Sequence, residues 1–147
     1  MDCLFCRIAT GETPAALVFE DETSLAFLDH RPLFPGHCLL IPKAHFATLL
    51  DLPEREIAGL FSNARLLAAA VEEAAAAEGS FVAINNRVSQ SVPHLHIHVV
   101  PRKKKDGLKG FFWPRHAYSS ESEMERVRNI VAGAANRLQQ SGAFRGK

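Results

Sequence analysis

Short runs of alternating hydrophobic and polar residues occupy the first third of the chain. Segments 16–23 and 24–29 show this alternation around a polar turn and predict two short strands. Segment 37–43 is almost continuously apolar and predicts a buried strand that ends at Pro42. Residues 31–36, with two prolines and one glycine, predict the loop between these strands.

Helical periodicity begins after residue 51. Asp51 and Glu54 have the spacing of a capping box, and Pro53 suits the first turn of a helix. Gly79 is the next strong stop signal, so the pattern predicts one long helix that ends there. The apolar positions that recur at helical spacing are Ile57, Leu60, Phe61, Ala64, Leu67, Ala68 and Val71.

Two more strands and a second helix follow. Segments 80–86 and 94–102 predict strands, the second by strict alternation. Ser120 and Glu123 form another capping box, and the helix that they begin ends at Gly142. Strands interrupted by two helices are typical of an α+β domain in which helices cover an antiparallel sheet.

Length and composition fit one domain that spans residues 1–147. Apolar residues make up 47% and charged residues 22%, and the net charge of +1 implies no general attraction to nucleic acid. The start of the chain lacks a signal-peptide pattern, and no apolar run is long enough to cross a bilayer. We therefore expect a cytoplasmic protein that binds neither nucleic acid nor membrane.

The three cysteines form a poor disulfide framework because their number is odd. Cys3 and Cys6 make a C-x-x-C pair, which in a reducing compartment indicates metal or redox chemistry. Cys38 lies in an apolar run and is predicted to be an inert core thiol. A redox or metal-handling protein built around the C-x-x-C pair is therefore one hypothesis for the chain.

Histidine occupies alternate positions at His94, His96 and His98. In a strand all three would share one face, and Leu95, Ile97 and Val99 would fill the other face and pack under a helix. The outer pair of histidines would be about 13 Å apart, which is too far for both to bind one zinc ion. The pattern leaves three interpretations: a metal held by adjacent members, a catalytic histidine with two helpers, or chance alternation. A neutral imidazole is a good nucleophile, so His96 with a helper on each side suits attack on phosphorus.

Three segments together resemble the histidine triad family. "HLHIHVV" resembles its signature, "AFLDHRPLFPGHCLLIPKAH" (26–45) its nucleotide-binding segment, and "CLFCRIATGETPAALVFED" (3–21) the start of its bacterial members. The resemblance covers about residues 3–102, and the loop and helix in 103–147 resemble only some members. It implies a homodimer of five-stranded antiparallel sheets with one long helix and a C-terminal helix in each chain.

The resemblance also implies a function and its residues. His96 would attack the α-phosphorus of a nucleoside phosphoramidate or dinucleoside polyphosphate, form a nucleotidyl-histidine and release a nucleoside monophosphate such as AMP. A sensor or adaptor that binds the nucleotide without turnover is the alternative. The implied catalytic set is His94, His96, His98 and Ser91, and the implied nucleotide-binding set is Asp29, His37, Asn85, Gln90, Ser91 and His98.

The resemblance further implies a structural zinc ion. Its ligands would be Cys3, Cys6, His45 and His94, since two thiolates and two imidazoles make a closed tetrahedral site.

Some features leave alternatives open. The segment "NNRVSQS" is shorter than in the family and lacks glycine, so either Asn85 or Asn86 could face the phosphate. The basic loop 102–109 is either a solvated surface or a contact for a polyphosphate leaving group. Phe111, Phe112 and Trp113 either pack, stack on a second base or seal a dimer.

Overall fold

Five strands form one sheet in the part of the chain that the structure describes. They are β1 (Leu17–Glu20), β2 (Ser24–Leu28), β3 (Cys38–Pro42), β4 (Gly79–Ala83) and β5 (Ile97–Arg102). The sheet order is β1-β2-β3-β5-β4, and every neighbouring pair is antiparallel. The computed structural model describes residues 2–109 and 116–143, so the aromatic run at 111–113 lies outside the described residues.

The described helices are α1 (Leu4–Ala9), α2 (Glu54–Ala74) and α3 (Glu121–Gln140), with a short 3₁₀ helix at Leu49–Asp51. The antiparallel five-stranded sheet with a long and a C-terminal helix confirms the predicted α+β class. None of these helices combines the length and the apolar character needed to cross a bilayer. Helix α1 was not predicted, because six residues are too few to show helical periodicity.

The sheet between residues 17 and 102 is covered on both faces. One cluster of buried side chains joins α2, through residues such as Leu60 and Leu67, to Leu95, Ile97 and Val99. This confirms that the residues between the histidines pack under a helix, and each buried aliphatic side chain contributes roughly 1.5–3 kcal/mol. A second cluster lies beside α1 and contains Cys3, Phe5, Ile8, Leu25, Phe27, Leu39 and Ile41.

The predicted capping box at the start of the long helix was wrong. The Asp51 carboxylate instead accepts hydrogen bonds from the backbone N–H and the hydroxyl of Thr48, at 2.9 and 2.7 Å. That pair caps the 3₁₀ helix, and α2 then begins after Pro53 without a side-chain cap. The prediction failed because the Asp51 carboxylate is bonded to Thr48 and does not accept a hydrogen bond from the first turn of α2.

The predicted end of α2 at Gly79 was also wrong, since the helix ends at Ala74. Ala76 adopts a left-handed backbone conformation with φ of 46°, and the Glu78 N–H already donates to the Arg102 carbonyl at 2.9 Å. Gly79 is therefore the first residue of β4, and the helix ends early because the chain must turn to pair with β5.

The histidine strand begins three residues later than predicted, at Ile97. Ahead of it, the His94 N–H donates to the Val92 carbonyl at 2.8 Å, and the Leu95 N–H donates to the Phe46 carbonyl at 2.6 Å. These bonds replace sheet pairing. Of the three histidines only His98 lies on the ladder, opposite Leu39 and Ala83.

The chain divides into two compact units at residue 106, and the prediction of a single domain over 1–147 stays a prediction. In the second unit, the Ser120 hydroxyl accepts the Glu123 N–H at 3.1 Å and caps α3 as predicted. The Glu123 carboxylate accepts hydrogen bonds from Ser119 instead of Ser120. The helix ends just before Gly142, whose φ of 68° suits glycine.

Candidate active site and metal centre

A cleft of about 820 Å³ opens on the α1 side of the sheet. Asp29, Ser91, His96 and His98 line it, and all four had been singled out in the sequence. Residues that the sequence reasoning missed form much of its wall. Phe5 had a signal, because it lies between the two paired cysteines, but its apolar neighbours had none. The missed lining residues are Leu4, Phe5, Ile8, Thr13, Pro14, Ala15, Ala16, Phe27, Leu28, Arg31, Leu39 and Val92. His30, which follows Asp29 in the sequence and was expected beside the base pocket, lines the cleft as well.

His96 is held with one ring nitrogen free. Its Nδ1 lies 2.8 Å from the backbone carbonyl of His94, and a carbonyl can only accept, so Nδ1 carries the proton. In the neutral form of the ring the lone pair is therefore on Nε2. The side chain is only 3% exposed, and the edge of Phe5 meets its ring at a centroid distance of 5.3 Å. An oriented imidazole with a bare nitrogen is a competent nucleophile.

His98 and His37 form a hydrogen-bonded chain with one direction. The Leu33 N–H donates to His37 Nδ1 at 3.1 Å, so the neutral His37 ring carries its proton on Nε2. That Nε2–H donates to His98 Nδ1 at 3.0 Å. The proton of His98 is therefore on Nε2, which makes His98 a hydrogen-bond donor.

Both rings of this chain are neutral at pH 7. Burial, followed by the proximity of His96 and His37, lowers the pKa of His98 to about 4, although Asp29 opposes the shift. Burial also lowers the pKa of His37, again opposed by Asp29. The assigned direction of the hydrogen bonds requires neutral rings, and these shifts are consistent with it.

Asp29 lies beside the hydrogen bond between His37 and His98. Its Oδ2 lies 3.8 Å from His37 Nε2, and its Oδ1 accepts the Arg31 N–H at 2.9 Å. The carboxylate is 17% exposed, so one side remains open to the cleft. A carboxylate in this position can accept hydrogen bonds from a diol.

Gln90 does not line the cleft. Its Nε2 donates to the Ala47 carbonyl at 2.6 Å, and its Oε1 accepts the Arg87 N–H at 2.7 Å. The side chain therefore ties its own loop to the segment after β3. Arg87 and Ser89 both adopt positive φ, at 69° and 60°, in the loop that has no glycine to take this conformation.

The two asparagines are also used within the protein. Asn86 Oδ1 accepts the Leu49 N–H at 3.0 Å, and Asn85 Nδ2 donates to the Ser89 carbonyl at 3.3 Å. Neither lines the cleft. The structure thus brings Asp29, His37, Ser91, His96 and His98 together, and it places Asn85 and Gln90 in the supporting loop.

A second cluster contains the four predicted metal ligands. One donor atom from each of Cys3, Cys6, His45 and His94 lies within 4.8 Å of the others. Cys3 Sγ and Cys6 Sγ are both 3.5 Å from His94 Nδ1, and Cys6 Sγ is 3.3 Å from His45 Nδ1. Zinc–sulfur bonds of 2.3 Å and zinc–nitrogen bonds of 2.0–2.1 Å at tetrahedral angles would separate sulfur from nitrogen by about 3.5 Å, which matches.

The protonation of His94 also fits a metal. Its Nε2 lies 2.9 Å from the Pro42 carbonyl and must donate, so the lone pair on Nδ1 points toward the two sulfur atoms. Burial raises the pKa of Cys6 most. A hydrogen bond with Cys3 and electrostatic repulsion from Cys3 raise it further. A bound cation would reverse that shift and deprotonate both thiols. The residues therefore fit zinc.

Comparison with known proteins identifies the family of this chain. The model described as "HIT domain" matches residues 10–105. The chain belongs to the HIT family. It is 38% identical over 137 residues to "Adenylylsulfatase HINT3" of Arabidopsis thaliana, covering 88% of this chain and 68% of the relative. It is 36% identical over 123 residues to "Adenosine 5'-monophosphoramidase hnt1" of Schizosaccharomyces pombe, covering 82% and 90%.

A solved structure of a similar protein also belongs to the histidine triad family. The "ZN-bound histidine triad family protein" from Mycobacterium smegmatis has a TM-score of 0.70 and 36% identity, covering 93% of this chain and 98% of that one. The recognition of the histidine triad family from the sequence is confirmed.

The HIT cleft contains another group whose donor atoms lie within 4.8 Å, Asp29, His37 and His98. Two observations argue against a metal there. The Leu33 N–H occupies His37 Nδ1, so a metal on Nε2 would leave the ring no place for its proton. The nitrogen–nitrogen distance of 3.0 Å is ordinary for a hydrogen bond, whereas two imidazoles on tetrahedral zinc lie about 3.3 Å apart.

Residues 102–106, the part of the basic loop in the first compact unit, follow the end of β5 that is far from the histidines. Arg102 donates two hydrogen bonds to the Asp106 carboxylate, at 2.6 and 3.0 Å, and Lys104 lies 3.6 Å from Glu78. No residue of 102–109 lines the cleft. These contacts support the interpretation of the loop as a solvated surface.

Proposed function

We propose that this HIT protein is a hydrolase or transferase that acts on the α-phosphate of adenylyl compounds through a covalent intermediate on His96. The single observation that supports it most is the His96 Nδ1–H bond to the His94 carbonyl, which leaves Nε2 unprotonated in a nucleotide-sized cleft. Two relatives named for adenylyl substrates support the same reaction class.

The first step forms one bond and breaks another. The lone pair of His96 Nε2 attacks the α-phosphorus, the bond from phosphorus to the leaving group breaks, and the leaving group departs with that electron pair. An amine leaving group takes a proton from water, whereas sulfate departs without one. Ser91 and the Nε2–H of His98 donate hydrogen bonds to the phosphate oxygens, where negative charge develops. Asp29 accepts hydrogen bonds from the ribose hydroxyls, and the base lies against Phe5, Ile8 and Phe27.

The second step frees His96 from the nucleotidyl group and regenerates the enzyme. Water attacks the same phosphorus, the bond from phosphorus to His96 Nε2 breaks, and the nucleoside monophosphate leaves. Transfer to another hydroxyl or amine would follow the same course with that group in place of water. Asn85 and Gln90 act by holding the loop that presents Ser91.

We further propose that the leaving group is small, as in a phosphoramidate or adenylyl sulfate. Among the described residues that line the cleft, Arg31 is the only lysine or arginine. Residues 102–106, the part of the basic loop that belongs to the same compact unit as the cleft, do not line it, so a long polyphosphate has few partners there. This favours the phosphoramidate over the dinucleoside polyphosphate.

The cluster of Cys3, Cys6, His45 and His94 holds a structural zinc ion in this proposal. The bound ion would supply a fixed tetrahedral cross-link, with no open position for chemistry. The zinc-bound relative supports this assignment.

The test is to incubate the protein with adenosine 5'-phosphoramidate, adenylyl sulfate and diadenosine polyphosphates while AMP release is measured. We expect release from the first two substrates and the mass of one adenylyl group on His96 in quenched samples. AMP release with no adduct and with full activity in His96→Ala would refute the proposed nucleophile. Tight AMP binding without turnover of any substrate would instead favour a sensor.

A further inference from the structure

Cys3 and Cys6 are placed to react with each other as well as with a metal. Cys3 directly precedes α1, and Cys6 lies in its first turn. Both sulfur atoms are 3.5 Å from the same nitrogen, His94 Nδ1, and all donor atoms of the cluster lie within 4.8 Å. Cys3 is buried, whereas Cys6 is partly exposed, so a small oxidant can reach the pair from one side.

A disulfide between the two cysteines needs little movement. Side chains three residues apart on a helix have Cβ atoms about 5–6 Å apart, and a disulfide needs about 3.5–4.5 Å. Cys3 lies outside the helix with an extended backbone, at φ of −110° and ψ of 119°, so its rotation disturbs at most the first helical hydrogen bond, in which the Cys3 carbonyl accepts the Arg7 N–H at 3.1 Å.

The third cysteine provides an internal contrast. Cys38 is 3% exposed, donates its S–H to the Gly36 carbonyl at 3.2 Å, and belongs to the core beneath α2. Cys3 belongs to the cluster beside α1. Cys38 therefore has no cysteine partner and no route to an oxidant, so the chemistry is confined to one pair.

We propose that Cys3 and Cys6 form a peroxide-sensitive pair whose oxidation releases the metal. Two zinc-bound thiolates each give up one electron to hydrogen peroxide, a sulfur–sulfur bond forms, and the peroxide oxygen–oxygen bond breaks. With two protons the peroxide becomes two water molecules. The zinc ion would then keep only His45 and His94 as ligands and would dissociate. This inference rests on the proposed zinc site, but it does not depend on the proposed hydrolase activity.

The pair is linked to the nucleophile by two contacts. His94, a ligand in the cluster, accepts the Nδ1–H of His96 through its backbone carbonyl. Phe5, which lies between the cysteines, meets the rings of both His94 and His96 edge-on, at centroid distances of 5.9 and 5.3 Å. Oxidation should therefore lower turnover while it releases the metal. His94 Nε2 keeps its bond to Pro42, so the loss should be partial.

The experiment treats the zinc-loaded full chain with hydrogen peroxide and follows zinc with a chromogenic chelator, free thiols by alkylation, and disulfides by peptide mass. We expect zinc release to parallel the loss of two of the three thiols, a Cys3–Cys6 disulfide, and recovery with dithiothreitol and zinc. Cys38→Ser is the matched control and should respond like the native chain.

Retention of zinc at peroxide concentrations that oxidise Cys38 would overturn the proposal, as would release of zinc without formation of the disulfide. The same peroxide-driven release of metal from Cys6→Ala loaded with Co²⁺ as from the native chain would also overturn it. Circular dichroism before treatment shows whether each variant is folded. These readouts do not use AMP release, so failure here is distinguishable from failure of the proposed hydrolase.

Discussion

Two clusters of histidines with sulfur or carboxylate neighbours lie on the same side of the sheet, and both bring three or more donor atoms within 4.8 Å. They differ in the direction of their hydrogen bonds. His94 donates to a carbonyl and leaves a lone pair facing two thiols, whereas His37 accepts a backbone N–H and must keep its other nitrogen protonated. Proximity therefore does not distinguish a metal site from a hydrogen-bond chain. The partner of the second ring nitrogen does.

The largest expected effect concerns His96, which bonds to a member of the first cluster and lies beside the second. His96→Ala should lower kcat/KM for adenosine 5'-phosphoramidate at least about a thousandfold, because no other group supplies the nucleophile. Zinc content, measured by elemental analysis, should not change. His116→Ala, an exposed histidine in the other unit, is the control and should retain full activity.

The next prediction compares one histidine from each cluster. His45→Ala should abolish zinc binding, whereas His37→Ala should retain the ion at wild-type stoichiometry. With free zinc at a hundredfold over its Kd, the loss should lower the free energy of unfolding by about 3 kcal/mol. Urea denaturation with and without chelator measures it. Loss of zinc in His37→Ala alone would reverse our assignment of the two clusters.

A smaller effect tests the direction of the chain from Leu33 through His37 to His98. His37→Ala removes the donor that keeps the proton of His98 on Nε2, and losing one such hydrogen bond costs about 1.4 kcal/mol, or tenfold in kcat. His37→Gln, whose amide can donate, should recover part of the activity. Equal activity in the two variants at matched stability would contradict a positioning role.

The smallest effect is on the dependence of stability on pH. The pKa of His98 is about 4 in the folded chain, below its ordinary value of 6.5, so the unfolded chain takes up a proton first as the pH falls. This contribution to stability is fully present above pH 6.5 and is lost between pH 6.5 and 4. Urea denaturation at pH 7 and pH 5, with zinc saturating, should show a smaller difference for His98→Gln than for the native chain.

Much of this molecule was predictable from local patterns. Leu95, Ile97 and Val99 alternate with the histidines and do pack beneath a helix, because side chains of an extended segment alternate between two faces. Errors arose where a local pattern had competing partners. The spacing assigned Asp51 to the cap of α2, but in the structure its carboxylate accepts the hydroxyl of Thr48. The alternation assigned His94 to the strand, but its N–H donates to the Val92 carbonyl.

The candidate site shows the same division. His96, His98, Asp29 and Ser91 were singled out from the sequence and do lie at the cleft, because the resemblance carried their positions, whereas His94 lies in the metal cluster. Asn85 and Gln90 were singled out with them, yet their amides hold a loop. Phe5 went unnoticed although it lies between the paired cysteines, because a six-residue helix shows no periodicity that marks its buried face.

What the sequence determined by itself is the set of chemical groups and their order: alternating strands, two helices, one C-x-x-C pair and histidines at every second position. Only the tertiary structure decided which histidine nitrogen carries a proton. That depends on contacts such as His37 with His98, 61 residues apart, and Cys3 with His94, 91 residues apart. A side chain brings two nitrogens of equal character to the fold, and the packing of distant segments makes one a donor and leaves the other free to bind or attack.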